Sequence, residues 1–220
     1  MHQALYIIPE WFFDFSVVME ILFSLVTLAV AVSGMAVYKI IKDKKIWRFS
    51  LGFLMISISY AAWAALNTHI ASTLDKGILM ISLTNPPLMH VLAVYTYIIF
   101  FIAGLVTLVY TTLKVERGEL LYLLLGLALT ALVSSLKILV TFRIVALFLL
   151  TYLVYYYFNE WYTAKNKRTC WTLAAFILLV LSNLFFIFTD STSTFVLGHI
   201  IELGAYLILL VSLLRTLRIK

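Results

Sequence analysis

The chain of 220 residues has one cysteine, three prolines and only 12% charged residues. A lone cysteine, Cys170, excludes an internal disulfide and any thiolate metal cluster. Pro9, Pro86 and Pro87 all lie at the edges of the hydrophobic runs, so no run carries a proline that would break it at mid-membrane. Low charge excludes an ordinary soluble domain, in which roughly a quarter of residues are charged. In its place, 64% of residues are hydrophobic and the mean hydropathy is +1.08. A soluble fold cannot bury so much apolar surface, and most of the chain must be solvated by lipid.

A spanning helix needs about 20 mainly apolar residues. The runs bounded by polar breaks predict seven such helices, over roughly 11–41, 49–71, 87–113, 120–137, 142–159, 170–188 and 195–214. The expected fold is an all-α membrane bundle, one domain over 1–220, in a cell membrane as a multi-pass protein. The first residues, MHQALYIIPEWFFDF, hold no Lys or Arg, so they lack the basic region of a cleavable signal and the first helix is expected to stay. Between the fourth and fifth helices the only break is SSLKILVTFR, which predicts a very short turn bearing Lys137 and Arg143.

The net charge of +6 does not indicate nucleic acid, because the basic residues fall in the breaks between spans. Lys39, Lys42, Lys44, Lys45, Arg48, Lys114, Arg117, Lys165, Lys167, Arg168, Arg215, Arg218 and Lys220 collect on one side, 13 of the 16 basic residues. The other side has Lys76, Lys137 and Arg143. Cytoplasmic loops carry the excess of Lys and Arg, so the N-terminus is expected outside and the C-terminus inside.

Ionisable side chains at membrane depth are costly and mark function by default. Here they share a level: Glu20, His90, His199 and Glu202 lie about 3 to 9 residues inside the outer ends of their helices, roughly 5 to 14 Å deep. His69 and Asn67 close the second helix at the same level. On the seventh helix His199, Glu202 and Tyr206 fall on one face; on the first, Ser16, Glu20, Ser24 and Thr27 do; on the third, His90, Ala93, Tyr97 and Gly104 do. These faces predict an outward-facing polar pocket between the first, third and seventh helices, lined by Glu20, His90, Tyr97, His199, Glu202 and Tyr206. The plainer account is that the same residues bond helix to helix, at about 1 kcal/mol or less each.

Three chemistries suit such a cluster. His69, His90, His199 and Glu202 are ligand types for zinc, and three of them with an open position would make a catalytic centre. Two histidines on different helices are a haem axial pair. A histidine between carboxylates suits cation or proton sensing.

Seven helices with this orientation resemble the layout of rhodopsins and G-protein-coupled receptors, but the seventh helix has no lysine for a retinal Schiff base and no NPxxY. The sugar-transporting and PQ-loop families share the length and helix count, yet carry mid-membrane prolines that this chain lacks. Seven-helix zinc hydrolases related to ceramidases place HxxxH on the last helix, where this chain has Leu203 after His199. The segment GHIIELGAYLILLVSLLR resembles, over about one helix, the last helix of sensor modules found ahead of kinases and cyclases. The leading expectation is a sensor or receptor-like protein that binds a small ligand or cation and acts through a separate cytoplasmic partner. The competing expectations are an intramembrane metalloprotein, as a zinc hydrolase or haem-bearing electron carrier, and an accessory subunit of a membrane complex.

Overall fold

The computed structural model describes residues 10–74, 88–113, 118–135, 137–188 and 192–218. Pro9, Lys76, Pro86, Pro87, Lys114, Glu116, Arg117 and Lys220, on which parts of the sequence reading rest, lie outside them. The described chain is helical: α1 (Glu10–Ile41), α2 (Lys44–Leu74), α3 (Leu88–Thr112), α4 (Gly118–Val133), α5 (Ile138–Ala164), α6 (Lys167–Ile187) and α7 (Thr192–Arg218). All except α4 are long and apolar enough to cross a membrane. The chain is a multi-pass helical membrane bundle, as its hydropathy predicts. At 1.5 Å per residue, the 16 residues of α4 extend about 24 Å, short of a hydrocarbon core of about 30 Å.

Two of the tight connections at the basic face are built alike. Lys42 and Lys165 adopt left-handed backbone, φ 57° and 45°, and their N–H groups donate to Tyr38 O and Trp161 O at 2.7 Å. This closes α1 and α5 with the carbonyl-capping turn that helices commonly use. Asp43 then starts α2 by accepting from Lys45 N at 2.9 Å.

Helix contacts run α1 to α2, α2 to α3, α3 to α5, α5 to α6, α6 to α7 and α7 back to α1. Six helices therefore close a ring, and α4 packs outside it on α3 and α5. Lipid supplies no hydrophobic force between helices, so the ring must be held by close packing and interhelical hydrogen bonds. Both are visible. Gly52 of α2 faces Gly104 of α3 so closely that a Cβ at Gly104 would sit 2.6 Å from Gly52 O and 2.7 Å from Ile56 Cγ1. Ser24 and Ser57 clamp α1 to α2, each hydroxyl donating to the other's carbonyl, at 3.1 and 2.9 Å. The ring interior is filled by aromatic side chains: Phe23, Phe53, Phe142, Phe176 and Tyr206 are almost wholly buried.

The turn between α4 and α5 lies earlier in the chain than the sequence predicts, since α4 ends at Val133 and α5 begins at Ile138. Because α5 begins at Ile138 rather than near residue 142, Arg143 is not in the turn but in the second turn of the helix. That shift matters below.

Candidate functional site

The polar layer foreseen in the sequence exists, but as two bonded groups and a cavity. The first group is centred on Glu20, which is 3% exposed. Ser16, one turn earlier on α1, donates to Oε1 at 3.1 Å, and Asn67 Nδ2 of α2 donates to both carboxyl oxygens at 2.8 Å. Trp63 adds a further hydrogen bond. Each partner is a donor, so Glu20 is held by a cage matched to a carboxylate. Removing Asn67 strips that cage. Asn67→Leu is expected to destabilise the protein by about 2 kcal/mol, because a buried acceptor loses its partner. A denaturation midpoint in detergent equal to that of the native chain would contradict this.

The second group is centred on Glu202 of α7. Tyr60 of α2 donates to its Oε1 in a short hydrogen bond, and the Tyr60 and Tyr206 hydroxyls lie 3.0 Å apart. One helix turn away, the His199 imidazole is enclosed by rings. Phe195 lies at 4.4 Å, Phe186 at 4.8 Å and Phe23 at 5.7 Å between centroids, and Nδ1 lies 3.0 Å from Phe195 O. Phe23 also packs on Tyr60 and Tyr206, and so joins the Glu202 group to α1 one turn below Glu20.

Between α2, α3, α5, α6 and α7 lies a narrow, largely enclosed cavity, with about 10 Å³ open to the centre of a water molecule. That is room for one water-sized occupant. Its polar end is formed by Arg143, Ser182, Asn183, Glu202 and Tyr206, and the remainder is apolar. Arg143 lies with its guanidinium over the ring of Phe186 at 4.4 Å and near that of Phe142 at 5.3 Å. Such cation–π contacts stabilise a guanidinium by about 0.5 to 2 kcal/mol, more as it is desolvated. Asn183 Nδ2 donates to Arg143 O at 2.9 Å and ties α6 to α5. Arg143 and Glu202 thus bring opposite charges to one cavity wall, and among the described residues no ion pair joins them.

Two buried side-chain oxygens among the described residues have no hydrogen-bond partner, Tyr110 Oη and Ser182 Oγ. Ser182 is 1% exposed and lines the cavity. An unbonded buried hydroxyl costs about 1 to 3 kcal/mol.

Glu20, Tyr97, His199, Glu202 and Tyr206 are all buried in the ring. Their grouping differs from the one foreseen. α2 stands between α1 and α3, so Glu20 is met by Asn67 of α2 and not by α3. Tyr97 packs on Trp63 and Tyr60, at 4.9 and 6.2 Å between centroids. The enclosed cavity among the described residues lies between α2, α3, α5, α6 and α7, and α1 contributes no lining residue to it. His90 falls in the first turn of α3, and its side chain is outside the described residues. His69 lines an open groove on the outer surface of α1 and α2, with Ser24, Ala61 and Ala65, and not the ring interior.

The zinc set is therefore divided: His69 is outside the ring, while His199 and Glu202 are within it. No three His, Cys, Asp or Glu side chains converge among the described residues. A cavity that holds one water does not admit a haem. Tyr60, Arg143, Ser182 and Asn183 are the site residues that sequence reasoning missed. The sequence places Asn67 at the level of Glu20, two residues from His69, but gives it no role there. Residues two apart do not share a helix face, so only one of that pair can enter the ring.

No known protein family matches the chain, and no curated protein or solved structure is similar to it. The site's chemistry alone carries the functional reading.

Proposed function

We propose that this protein is a membrane sensor, receptor-like in layout, whose stimulus is a small cation taken up in the Arg143–Glu202 cavity. The observation that carries this is the pair of opposite charges on α5 and α7 that share one enclosed cavity without touching. A buried carboxylate without an ion-pair partner is expensive, and the retention of Glu202 beside Arg143 inside a bundle supports an ion pathway or a switch. The cavity's size excludes organic ligands. A cation that settles on Glu202 changes what holds α7 to α2 and α5, and therefore how the ring packs.

The output side of this reading is the basic face. Lys39, Lys42, Lys44, Lys45, Lys165 and Lys167 cluster around the α1–α2 and α5–α6 connections, and the charge asymmetry of loops supports a cytoplasmic setting for that face. A separate partner, with an acidic surface, would read the packing change there.

Cys170 offers a direct test, being the sole cysteine, exposed, and in the first turn of α6 at the basic face. An environment-sensitive fluorophore on Cys170, in protein reconstituted into nanodiscs, is expected to change its emission when choline chloride is replaced by alkali chlorides. Glu202→Gln should remove the change. In intact cells, a membrane-impermeant maleimide should leave Cys170 unlabelled. Emission indifferent to every cation supplied would end the sensor reading, and labelling from outside would reverse the orientation.

A further inference from the structure

The polar end of the cavity has the composition of an ion site, and the charge of the whole layer around it, not of the cavity lining alone, says which ion. Two buried carboxylates, Glu20 and Glu202, and one half-buried guanidinium, Arg143, stand in the layer, a formal sum of −1 with histidine neutral. One monovalent cation brings the layer to zero. A divalent cation would leave it at +1, and an anion would take it to −2. Low dielectric makes each uncompensated charge costly, so neutrality decides among them.

We propose that this cavity is a binding site for one small alkali cation, a proposal that rests on the sensor reading above and names its stimulus. Four residues that line it carry oxygen ligands: Glu202 a carboxylate, Tyr206 and Ser182 hydroxyls, and Asn183 an amide carbonyl. The Asn183 amide nitrogen already donates to Arg143 O, which leaves its carbonyl oxygen to accept. Ser182 Oγ has no other partner, although the side chain is 1% exposed. Hard cations take oxygen ligands of this kind. Transition metals prefer nitrogen and sulfur, and among the described residues three His, Cys, Asp or Glu side chains do not converge. Arg143 does not occupy the site itself, because its guanidinium lies over Phe186 and Phe142. The space admits one ion no larger than a water molecule.

The experiment is binding of radioactive sodium to the full chain in nanodiscs, with choline holding ionic strength constant. Saturable uptake of one ion per chain is expected, displaced by unlabelled sodium. Glu202→Gln should abolish it. Ser182→Ala, which removes one oxygen and alters the fold least, should weaken it about tenfold, the worth of one hydrogen-bond-strength contact to a charge. Absence of saturable sodium binding by the native chain overturns the site and leaves water as the cavity's occupant. If the Cys170 fluorophore still responds to another cation in that case, the sensor reading survives alone. Sodium binding with an unresponsive fluorophore does the reverse: it keeps the site and removes the sensor.

Discussion

A chain carrying Gly104→Leu is expected not to assemble the ring. At this position a Cβ would lie 2.6 Å from the Gly52 carbonyl oxygen, a backbone atom that cannot rotate away, and 2.7 Å from Ile56 Cγ1. Relief requires α2 and α3 to separate, and their separation pulls Tyr60 away from Glu202, since Tyr60 sits two turns above Gly52 on α2. Overpacking in a close-packed interior costs about 3 kcal/mol or more where backbone must move, a large part of the stability of a small protein. Gly126→Leu is the control, because a Cβ there meets nothing within 4 Å on exposed α4. That substitution should be neutral, or stabilising by about 1 kcal/mol through helix propensity. The measurement is the fraction of monodisperse protein and its unfolding midpoint in detergent. A Gly104→Leu protein as stable as Gly126→Leu would mean that the α2–α3 crossing is looser than it stands here.

The contrast between these two glycines shows where the sequence stops being legible. Both sit in apolar helices, and nothing local separates them; only the tertiary crossing does. The helices themselves were readable because their boundaries are written in run length and basic residues, both local. The buried level was readable too, because Glu20, His199, Glu202 and Tyr206 stand at fixed depths from their helix ends and Glu202 and Tyr206 share one face. Which faces meet was not. Ring closure brings α2 between α1 and α3, and no spacing along the chain specifies that order. Tyr60, in the run SISYAAWAAL, therefore reads as one more apolar position, although it bonds Glu202 across 142 residues. Arg143 was obscured differently. Its nearness to Lys137 and the polar SSLK break suggested a loop, while a turn four residues long puts it inside α5, where a charge must find compensation.

That compensation gives the sharpest test of the site. Arg143→Leu removes the guanidinium and leaves Glu20 and Glu202 as two buried carboxylates with a formal sum of −2 in place of −1. With choline as the cation, the variant is expected to lose about 1 to 3 kcal/mol, less than the break of a wholly buried ion pair. Arg143 is half-buried, and among the described residues no ion pair joins it to Glu202. Leucine fills apolar space next to Phe142 and Phe186, so the loss should come from charge more than from packing. Adding Glu202→Gln to Arg143→Leu should then restore stability, with a coupling of about 1 to 3 kcal/mol in the double-mutant cycle. Sodium acts on the same balance. It should stabilise Arg143→Leu more than the native chain, because the cation now offsets an uncompensated carboxylate, and it should do nothing for the double variant. Unfolding midpoints of the four proteins in sodium and in choline measure all of this together. If the two substitutions prove additive, Arg143 and Glu202 do not interact, and the charges on α5 and α7 only happen to share a wall.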